Sequence, residues 1–247
     1  MPAPDVEVVL APAKVTLSLR VTGVRPDGYH LIDAEMVTVS LLDELAISAG
    51  DGLEVVGATG LAVPADDDNL VRRALRLVGR TAHVRLTKRI PSGAGLGGGS
   101  ADAAAVLRWA GLDDPVAAAG LGADVAFCVA GGRARVTGIG EVLEPLPYVA
   151  RALTLLTPPL ACATPAVYRA WDELGGPTAD GPNDLEPAAL LVEPALARWR
   201  DRLGDATGAT PVLAGSGSTW FVEGAYPDAG VVVTTLPPGL VAAPGGP

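Results

Sequence analysis

Between Lys14 and Val21 the chain alternates, with Val15, Leu17, Leu19 and Val21 on one side and Lys14, Thr16, Ser18 and Arg20 on the other. A period of two predicts a strand with one face on a core. The polar turn Arg25-Pro-Asp-Gly-Tyr-His30 follows, then strand patterns at 36–40, 45–48 and 53–56, the last two joined by Gly50-Asp51-Gly52. Asp66 to Asn69 offer caps for a helix from Leu70 to Val78. Val84, Leu86 and Ile90 alternate with His83, Arg85, Thr87 and Arg89, the pattern of a half-exposed antiparallel strand. Ala103 to Ala110 reads as a helix, Val125 to Ala130 as a buried stretch, and 133–136 and 142–143 as short strands.

Composition shifts near Pro145 to Ala150. Beyond it come a strand at 152–156, a helix opened by Pro165 behind Thr164 and running to about Leu174, and a second helix over 188–203. Val212-Leu213, the polar loop Gly215-Ser-Gly-Ser218 and Trp220 to Val222 read as strand, loop, strand. The tail from Val231 to Pro247 ends in Pro/Gly-rich residues expected to be poorly ordered. Antiparallel patterns with interspersed helices predict an α+β fold in two lobes with a cleft between them.

At 247 residues the chain is long enough for one large or two modest domains, and no window reaches about eighteen consecutive apolar residues. The N-terminus shows no basic-then-apolar signal pattern, so the expected location is the cytoplasm. Cys128 and Cys162 have no metal-ligand spacing and read as small apolar fillers. A formal net charge of −10 argues against nucleic acid and anionic membranes as partners. It equally disfavours a phosphate substrate unless local charge runs against the trend. Lys14 and Lys88 are the only lysines in a chain that otherwise uses arginine, which draws attention to both as compact point charges.

The predicted strand at 84–90 feeds Pro91-Ser-Gly-Ala-Gly-Leu-Gly-Gly-Gly-Ser-Ala-Asp102, which opens the Ala-rich helix. Gly93, Gly95, Gly97, Gly98 and Gly99 let the main chain approach an anion, and the helix start adds the positive end of its dipole. The loop therefore points to a nucleotide enzyme. Gly93, Gly95 and Gly98 satisfy the dinucleotide pattern, and Asp113 falls about twenty residues beyond it. The alternating strand before the loop and the turn around Asp113 argue against a Rossmann unit. The Walker pattern fails because Gly99 stands where a lysine is needed. Phosphoryl transfer also needs a group to orient or deprotonate the acceptor. Asp124, in the break Gly122-Ala-Asp, is the best candidate base, or else an ordinary helix cap. Lys14 is placed to neutralise transferring phosphate, or else is a solvated strand residue. Asp102 reads as a first-turn cap residue.

Taken together, Pro12-Ala-Lys-x-x-Leu17, Asp27-Gly-Tyr-His30, Pro91 to Ser100, Leu121-Gly-Ala-Asp124, Gly138-Ile-Gly-Glu141, Asn183-Asp-Leu-Glu-Pro187 and Gly215-Ser-Gly-Ser-Thr219 occur in one order. In this the chain resembles the 4-diphosphocytidyl-2-C-methyl-D-erythritol kinases, members of the galactokinase/homoserine kinase/mevalonate kinase/phosphomevalonate kinase superfamily. The likeness spans roughly residues 11 to 222. It implies a two-lobed kinase fold of that superfamily, with an ATP-binding lobe over 1–148 and a ferredoxin-like α/β sandwich over 149–247. It further implies transfer of phosphate from ATP, with Mg²⁺, to the 2-hydroxyl of the cytidylyl substrate in the non-mevalonate isoprenoid route, by a monomer or homodimer. By the resemblance Lys14 and Asp124 are the catalytic pair. Pro91, Ser92, Gly93, Ala94, Gly95, Leu96, Gly97, Gly98, Gly99, Ser100 and Ala101 bind ATP, with Asn69 and Lys88 at its adenine. Thr16, Tyr29, His30, Gly215, Ser216 and Gly217 bind the acceptor, His30 pairing with the cytosine edge and Tyr29 stacking on its ring. Ser100 is the loop hydroxyl able to approach Mg²⁺.

Some positions depart from the family pattern. Thr16 replaces a usual asparagine and Ala101 a frequent second serine. The segment between Gly111 and Gly120 is short by about one small helix, and Glu223 to Gly230 stands in place of an expected helix. The other readings are a homoserine- or mevalonate-type kinase, a catalytically silent nucleotide-binding module, and a nicotinamide oxidoreductase. The first lacks a cytosine for Tyr29 and His30.

Overall fold

The computed structural model describes residues 6–57, 63–112 and 114–240. Asp113 and the last Pro/Gly residues of the tail, 241–247, lie outside them. The first lobe is built around two long paired strands, β1 (Glu7–Val24) and β2 (His30–Ser48). The expected strands at 36–40 and 45–48 are thus parts of one element. β2 has room for two partners on its other edge: its first half pairs with β5 (Arg133–Gly138) and its second half with β4 (His83–Thr87). β3 (Gly52–Val56) joins β4 in parallel and β6 (Val142–Pro145) joins β5 antiparallel, so the sheet is mixed.

The alternation of β1 does not survive assembly. Register shifts interrupt its pairing between Pro12 and Lys14, between Thr16 and Ser18, and between Val21 and Gly23. Such bulges twist a strand and re-aim its side chains. Val15 and Leu19 are buried as the pattern predicts, but Lys14 is only 5% exposed and Thr16 only 2%. At Lys14 and Thr16 the polar face of the strand is covered by other parts of the protein, so Lys14 is not a solvated strand residue.

Helix α1 (Leu70–Leu77) is capped by Asn69, whose Oδ1 accepts from the Val71 N–H at 2.9 Å. Helix α2 (Gly98–Trp109) begins inside the glycine run and packs against α1, β1 and α4 (Val125–Ala130). Ala101, Ala103, Ala104 and Ala105 have essentially no exposed surface. Methyl-sized side chains let α2 lie close to neighbours on several sides, as an apolar-all-round helix must. Between α2 and α4 the shortened segment still holds one short helix, α3 (Pro115–Ala119).

The second sheet has the order β10-β7-β9-β8, from β10 (Val231–Thr234), β7 (Ala152–Leu156), β9 (Trp220–Glu223) and β8 (Val212–Leu213). All its neighbours are antiparallel, the ferredoxin-like arrangement. Its first crossover carries α5 (Thr164–Glu173), α6 (Glu186–Val192) and α7 (Leu196–Thr207). The second crossover, Gly224 to Gly230, is a turn without a helix. The single helix expected over 188–203 is broken in two at Glu193-Pro194-Ala195. Proline has no N–H to continue the ladder and pushes the residue before it out of helical geometry, and Glu193 sits at φ −135°, ψ 83°. Among the described residues no helix is long and apolar enough to cross a membrane.

The segment Asn183-Asp184 joins the lobes. Leu19 donates its N–H to the Pro182 carbonyl at 2.8 Å, and Asp184 returns its N–H to the Leu19 carbonyl at 2.9 Å. The Asp184 carboxylate accepts from the Val21 and Ala179 N–H groups and from Arg20. Asn183 is 1% exposed, and its Nδ2 donates to the carbonyls of Leu213 and Gly215 at 2.8 and 2.7 Å. Replacing Asn183 by Ala leaves both acceptors unpaired, which costs about 1–3 kcal/mol for each buried group. We expect Asn183→Ala to lower the unfolding free energy by about 2–4 kcal/mol, read from urea melts at constant slope.

Candidate active site

β1, the glycine loop, the turn at 215–217 and helix α5 enclose a cavity of about 1000 Å³ between the lobes. Lys14 sits at its floor. The backbone N–H of Lys14 donates to the Leu96 carbonyl at 3.0 Å, tying β1 to the loop. A Cβ placed on Gly97 would come within 2.8 Å of the Lys14 stem, and one on Gly95 would run into the carbonyl of Ala214. Both glycines also have left-handed φ, +68° and +77°. These two positions therefore need glycine for close approach as well as for conformation.

The Lys14 Nζ donates to Thr16 Oγ1 at 3.1 Å and lies 3.3 Å from Asp124 Oδ2. The lysine side chain is 6% exposed and the aspartate 31%, so the carboxylate remains open to a substrate while the ammonium is enclosed. Asp124 occupies the first position before α4 but caps nothing, since its side chain accepts no N–H of that helix. The turn Gly138 to Glu141 braces it from outside: a Cβ on Gly140 would approach Ala123 to 3.0 Å. Two charged groups more than a hundred residues apart thus meet at one point.

Helix α2 opens at Gly97 with no side-chain cap, and Gly98, Gly99 and Ser100 line the cavity. First-turn N–H groups without a protein acceptor, together with the dipole, suit a phosphate chain. Pro91 through Ser100 all line the cavity, as do Thr16, Tyr29, His30, Gly215, Ser216 and Gly217. Tyr29 is 60% exposed at the rim. Its neighbour His30 is packed instead: its ring lies 4.5 Å from that of Tyr168 and edge-on to Trp171, and Nε2 meets Asp172 Oδ1 at 2.8 Å. Tyr168 and Asp172 were missed by sequence reasoning. Their signal was the i, i+4 pair on the helix behind Thr164-Pro165, an aromatic and an acid on one face.

Two of the expected nucleotide contacts, Ala101 and Lys88, are corrected. Ala101 has no exposed surface, and its N–H is spent on the Gly97 carbonyl. Asn69 lies just outside the cavity lining: its carboxamide bonds the Val71 N–H and the Pro64 carbonyl with one N–H and one lone pair to spare, and Leu70 and Arg73 beside it line the cavity. The Lys88 side chain turns away beneath the loop, where its 3%-exposed ammonium pairs with Asp43 and with Asp102 at 2.8 Å. Asp102 is corrected with it, being a buried partner of Lys88 and not a solvated cap. Asp43 accepts the Ile90 N–H at 2.8 Å, so the triad ties the chain entering the loop to the helix leaving it.

Two buried carboxylates share one buried lysine. Burial pushes the Asp102 carboxyl up to about 7, the Lys88 ammonium opposing and the Asp43 carboxylate adding to the rise. Its Oδ1 is buried with no hydrogen-bond partner. In the unfolded chain the same group releases its proton near 3.8. Between those values the unfolded state binds fewer protons than the folded one, so this group makes stability fall as pH rises. We expect Asp102→Asn, which keeps an acceptor for Lys88, to remove that slope. Urea melts at pH 5 and pH 7.5 should show wild type losing on the order of 1–4 kcal/mol more than the variant over this interval.

Around Ser100 the described residues contain no group of three His, Cys, Asp or Glu side chains able to hold a metal ion. The cavity carboxylates are Asp124, Glu141 and Asp172, already engaged with Lys14, the Ile139 N–H and His30 respectively. A divalent ion would therefore rely on phosphate oxygens, with the Ser100 hydroxyl as the chain's contribution, which suits Mg²⁺.

The family model for the GHMP kinases N terminal domain matches residues 69–132. A 4-diphosphocytidyl-2-C-methyl-D-erythritol kinase from Ruegeria pomeroyi is 40% identical, over 89% of this chain and 88% of its own length. A crystal structure of a 4-(cytidine 5'-diphospho)-2C-methyl-D-erythritol kinase superposes with a TM-score of 0.74 at 34% identity, covering 92% of this chain and 98% of that one. A homoserine kinase from Cytophaga hutchinsonii shares the fold alone, with a TM-score of 0.55 at 19% identity, covering 96% of each chain.

Proposed function

The chain belongs to the 4-diphosphocytidyl-2-C-methyl-D-erythritol kinase family, and on that footing we propose how its cavity transfers phosphate from ATP to the 2-hydroxyl of that substrate, a step of the non-mevalonate isoprenoid route. The observation that carries the reading is the Lys14–Asp124 pair, 3.3 Å apart where the glycine loop meets the turn at 215–217. Asp124 takes the hydroxyl proton as the oxygen attacks. Lys14 offers its ammonium to the phosphoryl group in transit, where negative charge accumulates. Thr16 holds that ammonium by accepting a hydrogen bond from it at Oγ1.

The N–H groups of Gly98, Gly99 and Ser100 hold the donor phosphates, and the lack of side chains at Gly95 and Gly97 lets the loop close on them. Mg²⁺, where bound, would spread the charge of the phosphates, with Ser100 beside it. At the far end Tyr29 and His30 take the cytosine, Tyr168 backing the imidazole and Asp172 fixing its Nε2. With Nε2–H donated to Asp172, Nδ1 is left as an acceptor, the complement of an exocyclic amine. The lobe boundary falls in the stretch 146–151, which separates β6 from β7.

A coupled ADP-release assay with ATP and the cytidylyl substrate tests the assignment. Asp124→Asn should lower kcat by at least about 10²-fold with little change in either KM. A near-normal rate would show that Asp124 does no proton transfer.

A further inference from the structure

An acidic chain of net charge −10 has to bind two polyanions. Among the described residues every arginine but two has its guanidinium engaged. Each of the others pairs with a carboxylate, bonds to main-chain carbonyls or lies over a tryptophan ring. The two exceptions, Arg73 and Arg169, both line the cavity. Lys14, the other cavity cation, is already matched by Asp124. Arg73 and Arg169 are therefore the positive charges left for ligands.

Helix α5 places Arg169 along the cavity. At its start Thr164 Oγ1 bonds Ser216 Oγ at 2.8 Å, beside the turn that holds Lys14. Near its end Asp172 holds His30. From Thr164 to Asp172 the helix advances about 12 Å at roughly 1.5 Å per residue, and Arg169 lies between, on the cavity side and exposed. An acceptor with its base at His30 and its reacting hydroxyl at Asp124 has its diphosphate in that same interval. We propose that Arg169 binds the diphosphate of the acceptor substrate, an assignment that rests on the function proposed above. Arg73 stands on the donor side: it projects from α1, whose Leu70 lies 3.5 Å from the Cβ position of Gly99 in the loop.

Calorimetric titration of cytidine and CDP into wild type, Arg169→Met and Arg73→Met separates the contributions. Wild type should bind CDP about 10–100-fold more tightly than cytidine, from charge-assisted bonds to the phosphates. Arg169→Met should reduce that ratio by about tenfold or more, with cytidine affinity and the KM for ATP unchanged within about twofold. Arg73→Met should keep the wild-type ratio. An undiminished ratio in Arg169→Met overturns the proposal, as does an equal loss in Arg73→Met, which would mark a general field effect. Should wild type turn over the full substrate yet bind cytidine and CDP alike, the Arg169 assignment alone falls. Should it bind neither and turn over nothing, the functional reading falls first and takes this one with it.

Discussion

The aliphatic stem of Lys14 runs over Gly97, its ammonium lies beside Gly215, and its own backbone is bonded to Leu96. Two stretches of main chain from distant parts of the sequence thus pack around one side chain of a third, with no room for a Cβ where the stem crosses Gly97. The rest of the architecture serves this approach. The bulges of β1 turn Lys14 toward the loop, Gly140 lets its turn brace the residue before Asp124, and Asn183 fixes the carbonyls of the 213–215 segment. Enclosing the ammonium while leaving Asp124 partly open gives a fixed positive charge beside an accessible carboxylate. Phosphoryl transfer needs both in place before substrate arrives, because catalysis here is mainly positioning and charge stabilisation.

Charge is partitioned by depth. Beneath the loop Lys88 is consumed by Asp43 and Asp102, and the surplus negative charge of that triad is relieved by the raised proton affinity of Asp102. None of the three lines the cavity; they sit beneath Gly98 and hold the chain entering and leaving the loop. At the cavity surface the carboxylates are engaged and two arginines have no partner among the described residues. An acidic protein can in this way present a locally receptive surface to polyphosphates without changing its net charge.

Two of the motifs that carry the family resemblance do different work. Asp27-Gly-Tyr-His30 brings its aromatic and imidazole to the cavity, whereas Asn183-Asp-Leu-Glu-Pro187 is a joint between lobes, Asn183 bonded to main chain and Asp184 to main chain and Arg20. Only Leu185 of that joint lines the cavity. A motif can mark a family through the way its lobes are fastened as well as through its chemistry.

Local information was enough for the glycine loop, the helix starts at Asn69 and Pro165, most strands, and the candidacy of Lys14 and Asp124. Each of these rests on short-range spacing, turn chemistry or capping. It failed where a remote partner decided. Lys88 and Asp102 read as a pocket residue and a cap until the fold set them against Asp43, some forty-five positions away from the lysine. Tyr168, Asp172 and Arg169 carried no local mark beyond a helical face, and became part of a site only when α5 was laid beside His30 and the turn at 215–217. The sequence by itself determined where most strands, loops and helices lie, and which residues are candidates for phosphoryl transfer. Tertiary structure alone decided which charges are buried in pairs and which face a ligand, because the energy of a charge depends on its depth and its neighbours in space, and neither is encoded in spacing along the chain.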